Sequence, residues 1–288
     1  MSFKIDKQTL DDLAIFGNNR TKSVYDIFNR TRTRGGAKIL EEMFLYPLSD
    51  ADQINERSDV IRYYRDIEAE FPFRGEIFDT MEFYLSNTDR RTQLMTQDNT
   101  LGRKFKNLVG TDTEYTQIYN GIVCCIELLN TLDAFLKNSK ADAENKTIAE
   151  LTANLRGLLG NEKWSWYVAE KGKKKLSYEQ AVVYDRVLRF EERDKLMKIL
   201  YYVYLLDVYM AVANVAKERG FVFAKAHPND KNRLVMKGMF HPFLTKPVGN
   251  TITVDENSNV IFLTGANMAG KSTFMKSFGI TVFLAHVG

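Results

Sequence analysis

One short stretch constrains the fold of this chain more than any other. Gly265–Ser272 reads G-A-N-M-A-G-K-S and fits the pattern G-x-x-x-x-G-K-[ST] without mismatch. The apolar run Val260–Leu263 precedes this stretch, and an amphipathic segment follows it. This order predicts a strand, a phosphate-binding loop and a helix. The alternative is a strand-to-helix turn that contains glycines and binds nothing.

The loop pattern predicts a site for nucleotide phosphates. Gly265 and Gly270 let the backbone curl so that successive N–H groups point at phosphate oxygens, and the following helix adds the positive end of its dipole. Lys271 is expected to reach the β- and γ-phosphates, and Ser272 to place its hydroxyl on Mg²⁺. A nucleotide with Mg²⁺ is therefore the predicted ligand, and the resemblance described below implies that the nucleotide is ATP or ADP. The predicted nucleotide-binding residues are Gly265, Ala266, Asn267, Met268, Ala269, Gly270, Lys271, Ser272 and Thr273.

A working P-loop ATPase needs more than this loop. It also needs an acidic residue at the end of another strand to hold Mg²⁺, and a residue that orients the attacking water. Only residues 274–288 follow the predicted loop, which is room for one helix. We therefore expect the sequence to stop inside a nucleotide-binding domain, with phosphate binding but no efficient ATP turnover by this chain alone.

The composition is that of an ordinary globular protein, and it limits the possible partners. Hydrophobic residues make up 44% of the chain and charged residues 27%, which excludes a disordered chain. The formal net charge of +3 is too small for a polycation, so any DNA contact must come from a local patch. Cys124 and Cys125 are adjacent and cannot link distant elements, and the charged N-terminus lacks the apolar run of an export signal. We expect a reduced, cytoplasmic protein.

Most of the chain before residue 220 has the three-and-four apolar spacing of helices. Residues 199–216 carry a single formal charge, Asp207, and approach the length of a membrane span. Several tyrosines and this mid-span aspartate would be costly in hydrocarbon, so we expect a buried helix of a soluble protein and no membrane partner. The first predicted helix covers residues 34–45 and stops at Pro47, and the second runs from a cap at Ser49 or Asp50 to about residue 65. Further predicted helices cover residues 74–86, 113–138, 141–159 and 178–219, the last of them continuous or bent.

The pattern changes after Gly220, where short β-branched or apolar runs occur at residues 234–236, 251–254 and 260–263. Turn-like residues separate these runs. We therefore predict two domains, a mainly helical one at residues 1–220 and the beginning of an α/β P-loop ATPase domain with short strands at residues 221–288.

The residues inside the loop narrow the class of ATPase. Thr264–Thr273 resembles the T-G-P-N-M-G-G-K-S-T signature of the MutS family of DNA mismatch repair ATPases. Leu206–Ala216 is similar to the L-D-V-L-A-S-L-A-x-V-A helix that precedes the ATPase domain of that family. Further similar blocks are Thr33–Leu40 (T-x-x-G-x-R-L-L), Pro47–Asp50 (P-L-x-D), Ile54 with Arg57 (I-x-x-R), and His241-Pro242 with Asn250.

This resemblance implies a function that the residues alone do not. Residues 1–220 would be a helical core with lever helices, through which ATP binding at the interface of a full-length homodimer is coupled to DNA. Asn267 would position the hydrolytic water, beside the roles given above for Lys271 and Ser272. Because few residues precede the core in this sequence, we expect it to lack the mismatch-reading and connector domains of the family, and the DNA clamp of the family is not evident in it. Ala266 and Ala269 replace Pro and Gly of the family signature.

A lysine-rich stretch is the candidate DNA contact. It follows Trp164-Ser165-Trp166-Tyr167, and aromatic residues beside positive charges are typical of single-strand binders. The alternative is a solvated loop on a turn anchored by tryptophan. The possible contacts are Lys171, Lys173, Lys174 and Lys175.

Two other functions remain open. The chain could be a non-enzymatic interaction module that binds nucleotide only as a structural ligand. It could also belong to another class of P-loop ATPase, in which the long helices couple to a protein client rather than to DNA.

Overall fold

The computed structural model describes residues 3–17, 22–95, 113–138, 145–173, 175–228, 232–266 and 269–288. The chain forms two compact units. Unit 1 contains Met1–Thr31, Ala37–Ala69 and Val208–Gly288, and unit 2 contains Arg32–Gly36 and Glu70–Asp207. Unit 1 therefore includes residues from both sides of position 220. The division into domains at residues 1–220 and 221–288 stays a prediction.

The described part of the chain is mainly helical, as the apolar spacing predicted. A short 3₁₀ turn at Arg90–Thr92, a longer one at Glu162–Val168 and a π-helical turn at Arg186–Glu191 separate some of the helices. The α-helices, in chain order, are α1 (Lys7–Asp12), α2 (Val24–Phe28), α3 (Arg34–Leu45), α4 (Ala51–Asp66), α5 (Glu76–Ser86), α6 (Thr113–Asn138), α7 (Lys146–Leu159), α8 (Tyr178–Asp185), α9 (Arg193–Arg219) and α10 (Lys271–Val287).

Local sequence signals account for many of these boundaries. The carboxylate of Asp50 accepts a hydrogen bond from the Gln53 N–H at 2.9 Å and caps the start of α4. Ser177 and Gln180 form a reciprocal capping box at the start of α8. Gly220, with φ of +65°, follows the end of α9 in the left-handed conformation that glycine tolerates.

The predicted helix at residues 178–219 is interrupted by the π-helical turn. The guanidinium of Arg189, in that turn, donates to both carboxylate oxygens of Asp185, at 2.8 and 2.7 Å, and neither side chain is exposed to solvent. Arg189 also donates to the carbonyl and the hydroxyl of Thr92. A π-turn changes the direction of side chains relative to an α-helix, and here it coincides with a buried ion pair.

Two strands of unit 1 form an antiparallel hairpin, β1 (Leu234–Met239) and β2 (Asn250–Val254). The register shifts between Met236 and Met239, where Gly238 has φ of +66°. The third predicted strand, residues 260–263, is not one in the described structure. A strand needs a neighbour for its backbone hydrogen bonds, and no described segment pairs with this one. Its side chains are exposed, and that of Phe262 is 90% exposed.

Each unit has its own buried apolar residues. In unit 1, α3 and α10 contribute to one cluster, where the Phe44 and Phe283 ring centroids lie 5.9 Å apart. In unit 2, α5 packs on α6. Cys125 in α6 is fully buried, and burial raises the pKa of its thiol well above the ordinary value.

In the part of the chain that the structure describes, two helices are long and apolar enough to cross a membrane by length and composition, Thr113–Asn138 and Arg193–Arg219. Within their most apolar windows, 44% and 67% of the residues are buried inside the protein. A core helix of a globular protein passes the same test of length and composition, so the burial of α9 agrees with the prediction for residues 199–216.

Candidate nucleotide-phosphate site

The predicted phosphate loop leads directly into α10. Gly270, immediately before the helix, has φ of +86° and ψ of 10°, and Gly265, at the start of the loop, has φ of +152°. Residues with a Cβ rarely adopt such backbone angles, which explains physically why glycine stands at both positions. The Ala269 N–H donates to the Ala266 carbonyl at 3.2 Å.

Among the described residues, no side chain accepts a hydrogen bond from the first N–H groups of α10. The Phe274 N–H donates to the Gly270 carbonyl, which begins the helical hydrogen-bond ladder. No side chain caps this end, and the first turn of α10 as described contains no acidic residue. The N–H groups of the first turn and the positive end of the helix dipole therefore remain available to an anion.

Lys271 folds back over the loop. Its ammonium group donates to the Gly265 carbonyl at 2.5 Å and to the Ala266 carbonyl at 2.6 Å. The positive charge of the Lys271 ammonium therefore lies at the first residues of the loop, near the N–H groups of the first turn of α10. Both features favour a bound anion with several oxygen atoms.

The remaining predicted residues of the site fall into two groups. Ala266, Ala269, Ser272 and Thr273 are exposed to solvent, whereas Asn267 and Met268 lie outside the described residues. In the part of the chain that the structure describes, no group of three or more His, Cys, Asp or Glu side chains could hold a metal ion. The exposed hydroxyl of Ser272 fits the oxygen preference of Mg²⁺, if phosphate and water supply its other ligands.

The hairpin supports the N-terminal half of α10. Its buried residues Met236, Met239 and Ile252 pack against Phe274 and Phe278 of the helix. Because these two phenylalanines follow the loop within two turns, the hairpin sets the direction in which the first turn of α10 points.

His241 lies after β1 and belongs to the His-Pro block. Its Nδ1 accepts a hydrogen bond from the Phe243 N–H at 3.4 Å, and the Pro242 carbonyl accepts one from Arg219 at 3.1 Å. Burial, with a smaller contribution from the charge of Lys276 in α10, lowers the pKa of His241. These contacts indicate a structural role for His241 in the turn after β1.

The lysine-rich stretch in unit 2 has mixed surroundings. Lys173 forms an ion pair at 3.2 Å with Glu170, which is only 5% exposed, whereas Lys171 and Lys175 are exposed. Lys174 lies outside the described residues. Among the described lysines of this stretch, Lys171 and Lys175 are therefore the two that are exposed and form no ion pair.

The neighbouring aromatic residues are used within the protein. Trp164 is fully buried, and the ring of Trp166 stacks on Tyr184 with centroids 3.6 Å apart. The Trp166 indole N–H donates to the Lys163 carbonyl at 2.9 Å. This arrangement supports the alternative of a turn anchored by tryptophan over a platform for stacking bases.

The carboxylate of Asp207 has a structural role that the sequence pattern did not reveal. Asp207 is 1% exposed and accepts hydrogen bonds from the backbone N–H groups of Arg32 and Thr33 and from the Thr33 hydroxyl. Burial raises its pKa, and these hydrogen bonds oppose the rise. The sequence contains both partners of this contact in two separate blocks, around Thr33 and around Asp207, but nothing in the sequence shows that the two blocks meet.

Comparison with known proteins points to one family. The model of MutS domain III matches residues 8–213. DNA mismatch repair protein MutS of Fusobacterium nucleatum subsp. nucleatum is 36% identical over 101 residues, which cover 33% of this chain and 11% of that protein. The MutS of Clostridioides difficile is 31% identical over 128 residues, covering 42% of this chain and 13% of that protein.

A third relative, the MutS of Leuconostoc mesenteroides, is 23% identical over an alignment of 380 residues, which covers 99% of this chain and 44% of that protein. The chain thus spans less than half the length of each of these relatives. Because the alignment is longer than the 288 residues of this chain, the relative contains residues within the aligned region that have no counterpart here.

Proposed function

This chain belongs to the MutS family, and on that premise we propose that it is an ATP-binding, DNA-associated protein of the repair or recombination type. In this proposal the nucleotide state is coupled to DNA through the long helices. The observation that carries the nucleotide part is the uncapped N-terminus of α10, with the Lys271 ammonium lying across the loop that precedes it.

The proposed site binds Mg·ATP through the residues of this chain. The Lys271 ammonium neutralises phosphate charge, and the N–H groups of the first turn of α10 donate to phosphate oxygens. Ser272 supplies a hydroxyl to Mg²⁺, and Asn267 orients water. When bound, Mg·ATP supplies a phosphoanhydride bond whose hydrolysis can drive a change between two states of the protein. ATP or ADP and Mg²⁺ are the proposed cofactors.

DNA is the proposed macromolecular partner. The relatives carry the name DNA mismatch repair protein, and the matched family model covers most of the helical part of the chain. Since the net charge is only +3, the contact must come from a local patch, for which Lys171 and Lys175 are the described, exposed candidates. A homodimer of the full-length protein and a cytoplasmic location are part of the same proposal.

The test of the nucleotide part is the thermal unfolding of the chain with and without Mg·ATP. Nucleotide at one hundred times its dissociation constant should stabilise the native state by about 2.7 kcal/mol, and Lys271→Ala should abolish that gain. Lys276→Ala is the matched control, because Lys276 is an exposed lysine of the same helix that lies beyond its first turn.

The outcomes separate the remaining functions. A gain in the parent and in Lys276→Ala, but not in Lys271→Ala, supports the proposal. An unchanged melting temperature in the parent would refute nucleotide binding by this chain. Equal gains in all three proteins would place the nucleotide elsewhere. Nucleotide binding that DNA does not alter in the full-length protein would favour an interaction module or a protein client, because coupling between two sites is reciprocal.

A further inference from the structure

The far end of the P-loop helix is held by residues from the beginning of the chain. The Leu48 N–H donates to the His286 carbonyl at 2.7 Å, and His286 Nδ1 lies 2.6 Å from the Leu48 carbonyl. Because a carbonyl oxygen only accepts, Nδ1 carries the proton. Arg57 of α4 donates to the carbonyl of Val287, the last residue of α10. We call Leu48, Arg57 and His286 the C-terminal anchor. All three belong to unit 1.

The C-terminal anchor supplies hydrogen-bond donors and a positive charge to the C-terminal end of α10. The last carbonyl groups of an α-helix have no partner within the helix and form the negative end of its dipole. Arg57 brings a donor and a positive charge to this end, and Leu48 brings a backbone N–H. The ring of Phe3 stacks on His286 with centroids 4.1 Å apart and covers the contact from another side.

The two halves of α10 have different surroundings within unit 1. Towards its C-terminus, Ile280, Phe283 and Val287 are buried in the same cluster as Leu40 and Phe44 of α3. Towards its N-terminus, the helix packs on the small hairpin. A helix of 17 residues is about 25 Å long, and its hydrogen-bond ladder makes it stiff along its axis. A displacement at the C-terminal anchor therefore reaches the loop.

We propose that the C-terminal anchor sets the axial position of α10, and with it the nucleotide affinity of the loop at the opposite end. This proposal rests on the proposed function and adds its regulation. Arg57 is a positioning residue, since it acts on the phosphate site only through the helix. Because coupling between two sites is reciprocal, nucleotide bound at Lys271 should in turn strengthen the contact of Arg57 in α4 with the end of α10.

The experiment compares Arg57→Gln with Arg62→Gln, a partly exposed arginine of the same helix α4, which pairs with Asp59 and lies over the ring of Phe223. The first measurement is the dissociation constant of Mg·ATP by titration calorimetry. Arg57→Gln should raise it by at least about fivefold, the lower end of the usual range of coupling between sites. Arg62→Gln should leave it unchanged. Arg57→Lys, which keeps the charge with a single donor group, should lie between the two.

The second measurement needs no nucleotide. Hydrogen exchange of backbone amides in the absence of ATP should become faster in Arg57→Gln along residues 274–280, near the loop, as well as at the C-terminal anchor. Arg57→Lys gives the same comparison if Arg57→Gln does not fold.

These measurements distinguish the failures. A purely structural role would lower the melting temperature of Arg57→Gln, confine faster exchange to residues near the C-terminal anchor and leave nucleotide affinity unchanged, which would overturn the proposal. If the parent binds no nucleotide, the proposed function fails. The exchange data then decide whether the C-terminal anchor positions α10: faster exchange near the loop supports the anchor, and unchanged exchange there refutes it.

Discussion

The carboxylate of Asp207 accepts two hydrogen bonds from Thr33, one from its hydroxyl at 2.7 Å and one from its backbone N–H at 2.9 Å, across 174 residues of sequence. Thr33 in turn accepts a hydrogen bond from the Gly36 N–H in the first turn of α3. One buried carboxylate of α9 therefore holds the residue that caps α3. This contact joins two sequence blocks that resemble family motifs, Thr33–Leu40 and Leu206–Ala216.

Removing this carboxylate should destabilise the protein strongly. Asp207→Ala leaves the buried N–H of Thr33 without its acceptor, at a cost of about 1 to 3 kcal/mol, and the part-buried N–H of Arg32 loses the same acceptor at a smaller cost. Chemical denaturation should thus show a loss of about 2 kcal/mol. The control is Asp194→Ala, in the same helix with a fully exposed side chain, which should change stability by less than about 1 kcal/mol. Equal effects of the two variants would contradict this role of Asp207.

Glycine is required at position 36 by a close approach rather than by its backbone angle. A Cβ there would lie 2.6 Å from an Asp207 carboxylate oxygen and 2.9 Å from the Thr33 hydroxyl. Gly36→Ala should therefore lower the melting temperature. In Gly157→Ala, within α7, the Cβ meets nothing within 4 Å, so this control should stabilise the protein by about 0.5 to 1 kcal/mol. A stabilising Gly36→Ala would show that α3 can shift away from Asp207.

Glu192 should contribute stability that is lost in acid. Its hydrogen bond from Lys195, with others from Lys163 and Asn161, lowers its pKa to about 2 from the ordinary value of 4.5. Because the folded pKa is the lower one, the contribution is fully present above pH 4.5 and disappears as the pH falls towards 2.

Thermal unfolding of the parent and of Glu192→Gln between pH 7 and pH 2.5 tests this prediction. The parent should be the more stable protein at neutral pH, and the difference should shrink below about pH 4.5. A difference that stays constant over the whole range would mean that the charge of Glu192 does not stabilise the fold.

The exposed lysines of the candidate DNA contact can be tested by salt dependence. If both contact phosphates, Lys171→Ala/Lys175→Ala should weaken DNA binding equally for all sequences and reduce the slope of log K against log salt by about 2. Lys146→Ala/Lys198→Ala removes the same charge from exposed positions elsewhere in unit 2 and serves as the control. An unchanged slope in the first double variant would assign this stretch to a solvated loop.

The elements that depend on neighbouring residues can be read from the sequence. The bounds of α3 and α4 follow from apolar spacing, from Pro47 and from a cap at Ser49 or Asp50, of which the structure shows Asp50, and all of these signals act within a few residues. The hairpin strands were predicted from short β-branched runs. The phosphate loop was found as a local pattern whose glycines have the positive φ angles expected of such a turn, while the nucleotide itself stays a proposal.

The tertiary structure decided the features that depend on distant partners. Residues 260–263 have the composition of a strand, but a strand forms only where another segment satisfies its backbone hydrogen bonds. The π-turn coincides with the buried Asp185–Arg189 pair, whose further contact with Thr92 no helical period reveals. Likewise, the sequence supplies Arg57 and His286 but does not show that they lie near each other. Only the packing of α4 and α10 within unit 1 brought them to one helix end, because hydrogen bonds join groups by distance in space and not by distance along the chain.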